Sequence, residues 1–503
     1  MDTLRSLIAA RSSDAPDDAY LEDARSERVV TFADLDRQAT SWSRALDALG
    51  VGSNATVVVD IGDPLAFAVA HLAVVASGRR SVPVNPQGTW AETLRAVSLG
   101  GSAAIVSDRD EPGESSVPVL RPDPATCSPA GAADFDPAAP VDGGAAEPGA
   151  GSVILFTSGS TGTPKGVELT EAQLLFVARA IARHNALTSD DRGFNSLPLF
   201  HVNAEVVGLL STLVAGATLV LDRGFHRTGF WELLEERRIT WLNAVPAILA
   251  VLAKSGPARP PAGLRFVRSA SSALPEAVRT AFAGIPMIIS YGMTEGASQI
   301  TATPLGEEPR AGSVGLPVGD EVQPRDASGG AVPVGEIGEL WIRGPGVVTG
   351  YFEGRAADRF DADGWLRTGD LGHVDADGWV YLAGRTDDVI NRGGEKVYPA
   401  EVEDVLLEDA RVREAVVVAR PDQILGSVPV AYVIPADLDL ADPARPDEAR
   451  KALTADLAAR CDAELPRFKR PVDITVVEDL PRTPTGKVQR GRTRELLAES
   501  TPA

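Results

Sequence analysis

Residues 157–166 read Thr-Ser-Gly-Ser-Thr-Gly-Thr-Pro-Lys-Gly, and they follow without a break from the apolar run Val153-Ile154-Leu155-Phe156. A buried strand that delivers the chain into a glycine- and hydroxyl-rich loop closed by a lysine constrains the fold more than any other stretch. Glycines let successive backbone N–H groups turn into one concavity, and hydroxyls add donors, so such a loop can wrap a polyphosphate. The loop departs from the pattern G-x-x-x-x-G-K-[ST]: Pro164 stands where that pattern has its second glycine, and Gly166 where it has Ser or Thr. Its position at the end of a strand argues against a plain flexible linker.

The surrounding pattern is α/β. Thr31 is placed to cap an amphipathic helix that opens at Phe32. Residues 56–60 form a short β-branched run, 64–77 read as a helix and 81–84 as the next strand, and this alternation points to a largely parallel sheet. Residues 121–151, rich in Pro, Ala, Gly and Asp, read as a surface crossing. Alternation continues to about residue 320, and 335–382 change to short strands with Gly and Asp turns, an all-β portion. From Asp387 on, strands at 415–419 and 429–434 flank a turn at 421–426, with a helix at 446–463 and a strand at 474–477. The expected architecture is a large N-terminal domain, 1–386, of α/β subdomains plus a β-rich portion, and a small mobile C-terminal α+β domain, 387–503.

Charge and cysteine content narrow the function. The net charge of −22 disfavours a nucleic-acid partner, and it obliges any nucleotide site to be built from local cations, backbone N–H groups and a metal ion. Two cysteines, Cys127 and Cys461, exclude a disulfide framework and suit a reducing compartment. The chain start lacks a signal-peptide apolar region, and the longest uncharged apolar stretch, 206–221, is shorter than the ~20 residues of a membrane span. That stretch reads as a buried helix, a turn and a buried strand. A cytoplasmic protein that binds no membrane is expected.

Three further motifs carry chemistry. Tyr291-Gly292-Met293-Thr294-Glu295 follows an apolar strand and offers an aromatic face, a hydroxyl and a carboxylate suited to Mg2+. Leu366-Arg367-Thr368-Gly369-Asp370 and Gly384-Arg385 offer a carboxylate for ribose hydroxyls with an arginine nearby. Pro481-Arg482-Thr483-Pro484-Thr485-Gly486-Lys487 sets a lysine on a Pro/Gly-defined loop. Taken singly, Tyr291–Glu295 is also a common turn, Asp370 also a turn former and Lys487 also an ordinary surface lysine.

In this order and spacing the four motifs resemble the acyl-CoA synthetase branch of the adenylate-forming enzymes, a superfamily that includes non-ribosomal peptide adenylation domains and firefly luciferase. Leu197-Pro198-Leu199-Phe200-His201, Arg268-Ser269-Ala270-Ser271-Ser272 and Asn391-Arg392-Gly393-Gly394-Glu395-Lys396 look most like oxalate–CoA and related small-acid ligases. The resemblance implies ATP, Mg2+ and CoA, with a small carboxylic acid as substrate. It implies that Thr157, Ser158, Gly159, Ser160, Thr161, Gly162 and Lys165 hold the ATP phosphates. Tyr291 and Gly292, with Ser271 and Ser272, would line the adenine pocket. Thr294 would contact the α-phosphate and Glu295 would hold Mg2+. Asp370 and Arg385 would take the ribose, and Asp387 would be the hinge. Lys487 would bridge substrate carboxylate and nucleotide, His201 would gate the acyl pocket, and Arg392, Gly394 and Lys396 would face CoA.

The acyl group is less determined. Oxalate ligases of similar sequence carry a histidine where this chain has Ser298, and the sequence offers no replacement cation for a second carboxylate, so a neutral-tailed acid is expected in place of oxalate. Asn203, Glu205, Ser298 and Gln299 are expected to give the pocket polar character, and Glu205 would suit an amine-bearing acid. The acceptor alternatives are a separate carrier protein, an amine or nitrite.

Overall fold

The helix Pro64–Ala76 is apolar on every side, so it cannot lie on a surface. It is buried along its length between two sheets, and that sandwich organises the first three-fifths of the chain. The computed structural model describes residues 3–110, 113–131, 149–157, 165–254, 259–354, 356–437, 447–482 and 488–500.

One sheet has six strands in the order Val119–Leu120, Ala104–Ser107, Thr56–Asp60, Arg80–Pro83, Ser152–Thr157, Lys165–Thr170, all parallel except the last pair. The second has nine. Its central strands Met287–Tyr291, Phe266–Ser269, Trp241–Ala244, Arg192–Asn195, Thr218–Leu221 and Ala19–Asp23 run parallel, with antiparallel strands at both edges. Parallel strands buried on both faces explain the unbroken apolar runs. The helix Phe32–Ala48 begins where expected: Thr31 and Asp34 exchange side-chain and backbone hydrogen bonds in a capping box.

A third, antiparallel sheet joins Glu321–Arg325, Gly338–Arg343, Leu366–Val374 and Val380–Arg385. It is the β-rich portion, and it begins earlier than residue 335. The short turn Thr386–Asp388 then leads into a separate sheet of Glu395–Val397, Ile390–Arg392, Gly426–Pro435, Val412–Asp422 and Ile474–Val476, packed on helices Pro399–Leu407 and Asp447–Glu464 around its own core. The fold is thus mixed α/β with a large N-terminal part and a smaller C-terminal one.

The stretch 206–221 is close to expectation, with one difference. Its first turns, Asn203–Leu210, form a π-helix that continues as Ser211–Ala215, turns at left-handed Gly216 and enters the strand Thr218–Leu221. Among the described residues no helix is long and apolar enough to cross a membrane. Cys127 and Cys461 are free and buried. Part of the 121–151 crossing lies outside the described residues.

Candidate active site

In an open parallel sheet, loops at the carboxyl ends of the strands converge on one edge, where ligands bind. Here that edge of the nine-stranded sheet carries Ser271 and Ser272 after Phe266–Ser269, the Tyr291–Glu295 turn at the end of Met287–Tyr291, and His201 beyond Arg192–Asn195. Backbone strain concentrates there. Ser271, Ala297 and Ser298 all adopt left-handed φ values, of 81°, 47° and 91°.

Two charged clusters meet at the Tyr291–Glu295 turn. In the first, the Tyr291 hydroxyl donates to Asp370 Oδ2 at 2.6 Å, and Arg385 Nη1 donates to Asp370 Oδ1 at 2.9 Å. A carboxylate can accept from both hydroxyls of a diol, so Asp370 is the chemical type that a ribose needs. Tyr291 is buried, and burial followed by the adjacent Asp370 charge pushes its phenol well above the usual range, so it stays a neutral donor. Its ring is pinned through its hydroxyl and presents a fixed aromatic face.

The second cluster centres on Glu295. The Tyr351 hydroxyl donates to Glu295 Oε1 at 2.6 Å, and Arg359 Nη1 donates to the same oxygen at 3.1 Å and also to Tyr351. Lys165 Nζ lies 5.9 Å from the Tyr351 ring centre. The lysine that closes the Gly/Ser/Thr loop and the carboxylate expected to hold Mg2+ therefore share one locale. No group of three or more metal-ligating side chains occurs among the described residues. A single buried carboxylate suits Mg2+, which keeps waters and takes its remaining oxygens from substrate phosphates. Sequence patterns gave no hint of Tyr351 or Arg359, because neither sits in a recognisable motif.

The loop itself is framed at both ends. Ser152–Thr157 and Lys165–Thr170 are antiparallel partners, and Thr157 pairs with Lys165 across the hairpin mouth. Ser158, Gly159, Ser160, Thr161 and Gly162 lie outside the described residues, as does Lys487. The flanks of the Lys487 loop meet at a bridge between Arg482 and Val488.

Gly292 has a packing reason. A Cβ there would sit 1.4 Å from the Ser298 carbonyl oxygen, so only glycine lets the 297–299 segment close over the turn. Ser271 and Ser272 are exposed at the strand end, and Asn203 Nδ2 reaches Ser271 Oγ at 3.5 Å. His201 stacks obliquely on Phe200, its Nε2 is buried without a partner, and burial lowers its pKa to about 4. It is therefore a neutral ring at physiological pH.

The structure redirects two expectations. Glu205 does not face the acyl side: its Oε1 lies 2.9 Å from His71 Nε2, whose Nδ1 lies 2.8 Å from Ser81 Oγ. The wide turn of the π-helix aims Glu205 at the buried helix Pro64–Ala76, so it cannot select an amine-bearing acid. Arg392, for its part, is tied down locally. Its Nη1 donates to the carbonyls of Arg467, Phe468 and Arg470 at 3.0–3.2 Å. Gly393 and Gly394, at φ 63° and 96°, form the two-residue turn between Ile390–Arg392 and Glu395–Val397, and Lys396 beside them is exposed.

A family model of the AMP-binding enzymes matches residues 8–352, and the model of their C-terminal domain matches residues 401–487. The chain is 37% identical to a sulfoacetate–CoA ligase of Cupriavidus necator, over 97% of both proteins. It is 32% identical to an oxalate–CoA ligase of Arabidopsis thaliana, again over 97% of both. The solved o-succinylbenzoate CoA synthetase of Bacillus subtilis, in complex with its acyl-adenylate intermediate, superposes with a TM-score of 0.82 at 27% identity, covering 99% of this chain and 98% of that one.

Proposed function

The chain belongs to the AMP-binding enzyme family, and on that premise we infer that it is an acid–CoA ligase. It activates a small carboxylic acid with ATP and Mg2+ to an acyl-adenylate, then passes the acyl group to CoA. In the first half-reaction a carboxylate oxygen bonds to the α-phosphorus as the bond to pyrophosphate breaks. In the second, the CoA thiolate bonds to the acyl carbon as the bond to the AMP oxygen breaks.

The observation that carries the reading is the pairing of two seats on one turn. Tyr291 meets Asp370, which Arg385 also holds, and four residues on, Glu295 meets Tyr351 and Arg359. Asp370 accepts the ribose hydroxyls, and Tyr291 offers its ring to adenine beside Gly292, Ser271 and Ser272. The Thr294 hydroxyl reaches the α-phosphate, while residues 157–162 and Lys165 grip the outer phosphates. Glu295 would hold Mg2+, which when bound offsets charge on the phosphates. His201, neutral and half-buried, walls the acyl side without repelling or ionising against the acid. Lys487 supplies the cation between the two reacting anions.

The second half-reaction needs a thiol at the same carbon from another direction. We assign residues 387–503 as the unit that swings about Asp387 to withdraw Lys487 and bring the Gly393–Gly394 hairpin toward the pantetheine arm. Lys396, exposed at that hairpin, is the CoA-phosphate contact, whereas Arg392 serves the domain's own fold. The free thiols accord with a cytoplasmic location.

Pyrophosphate release across a panel of acids, with and without CoA, a carrier protein, or nitrite plus an arylamine, tests the reading. Acid-dependent release that yields a CoA thioester is expected. Release without a thioester moves the acceptor to one of the other arms, and no release in any arm contradicts the assignment.

A further inference from the structure

Arg268 is a buried cation with no anion beside it. It lies on the strand Phe266–Ser269 at 0% exposure, and its donors reach only neutral oxygens. Nη2 reaches Ser290 Oγ at 2.9 Å, and Nη2 and Nε both reach Gln299 Oε1 at 3.2 Å. Nη1 reaches Asn243 Oδ1 at 3.2 Å and Asn203 Oδ1 at 3.4 Å. No carboxylate among the described residues pairs with it, although the chain holds 70 Asp and Glu residues. Burial lowers its pKa to about 9, which leaves it charged at neutral pH. Enclosing an unpaired guanidinium is strongly unfavourable unless an opposite charge arrives.

Two neighbouring polar groups are left without partners. Gln299 accepts two Arg268 hydrogen bonds on Oε1, and this fixes the amide, since a flip would turn its NH2 group against the guanidinium. Its Nε2 is then left buried with no partner, and so is Ser298 Oγ next to it in the chain. Asn203, at the start of the π-helix, accepts on Oδ1 from Asn243 at 3.0 Å as well as from Arg268. The group lies at the carboxyl ends of the strands that also deliver Ser271 and Tyr291–Glu295.

We propose that the acyl pocket is built for an acid whose tail bears a second oxyanion, a carboxylate or a sulfonate, received by Gln299 Nε2 and Ser298 Oγ with Arg268 as the counter-charge behind them. This rests on the ligase reading above, and it reverses the neutral-tailed acid expected from sequence. The cation comes not from the Ser298 position but from the adjacent strand.

The test compares kcat/KM for pyrophosphate release with oxalate, malonate and sulfoacetate against acetate, propionate and butyrate. The anion-tailed acids are expected to lead by about 100-fold. Sulfoacetate in front identifies a sulfonate tail, and a dicarboxylate in front a carboxylate. Gln299→Glu places a carboxylate where Oε1 already meets Arg268. It is expected to keep or raise the thermal midpoint while abolishing the preference by about 100-fold, mainly through KM. Arg268→Met is expected to lose the same preference. A neutral-tailed acid in front with the native enzyme, unchanged discrimination in Gln299→Glu, or a Gln299→Glu protein that is destabilised would overturn the inference. Pyrophosphate release with no acid at all would instead sink the ligase reading.

Discussion

Gly292→Ala places a methyl group where the active-site turn has no room. The added Cβ would lie 1.4 Å from the Ser298 carbonyl oxygen, 2.5 Å from its carbon and 3.1 Å from the Gln299 Cα. Bringing the closest contact out to even 3.0 Å requires a displacement of about 1.6 Å. The segment is held against such a shift by Ser298 N–H donating to Met293 O at 3.1 Å and by Ile300 N–H donating to Tyr291 O at 2.9 Å. Gln299 is fastened to Arg268 as well. Overpacking of this kind costs about 1–3 kcal/mol, and loosening two backbone hydrogen bonds adds about 1 kcal/mol each, for a total of about 3–5 kcal/mol. A shift of that size at the reacting centre also costs about 100-fold in rate. Thermal melts and acid-dependent pyrophosphate release measure the two effects. Gly224→Ala, where a Cβ meets nothing within 4 Å, is the neutral control. An alanine variant at 292 that melts and turns over like the native protein refutes the packing argument.

Other outcomes follow from the same geometry. Glu295→Gln keeps the Tyr351 and Arg359 hydrogen bonds in shape but removes the charge, and it should lower Mg2+-dependent pyrophosphate release by about 100–1,000-fold in a coupled assay. His201, held at about 4 by burial, contributes stability that is complete above the ordinary histidine value of about 6.5 and is lost as pH falls toward 4. The native protein should therefore lose stability more steeply between about pH 7 and pH 5 than His201→Gln, by about 2 kcal/mol at pH 5. Lys487→Ala should lose adenylate formation by orders of magnitude yet still convert a supplied acyl-adenylate and CoA to the thioester, and equal loss in both halves contradicts the swinging-domain account.

Local signals in the sequence were reliable where the physics is local. Thr31 caps its helix because a hydroxyl can reach a backbone N–H three residues on. Residues 56–60 and 153–156 form buried strands because β-branched and apolar runs pack between helix layers. Tyr291, Asp370 and Arg385 could be listed from motifs, but only folding brings a phenol and a carboxylate 79 positions apart to 2.6 Å. What was missed is non-local. Arg268 lies 31 positions before Gln299 and meets it only in the fold. Tyr351 and Arg359 come to Glu295 from the segment between two strands of another sheet. Glu205 was misdirected because its partner, His71, lies 134 positions earlier in the chain and meets it only in the fold.

The central claim is that the acid's own oxygen becomes bonded to the α-phosphorus before CoA arrives. Carboxylate labelled with oxygen-18, incubated with enzyme, ATP, Mg2+ and CoA, tests it in one mass spectrum of the nucleotide product. The account predicts AMP carrying one labelled oxygen, in step with acyl-CoA formed. Unlabelled AMP, or label appearing in inorganic phosphate alongside ADP, would contradict it.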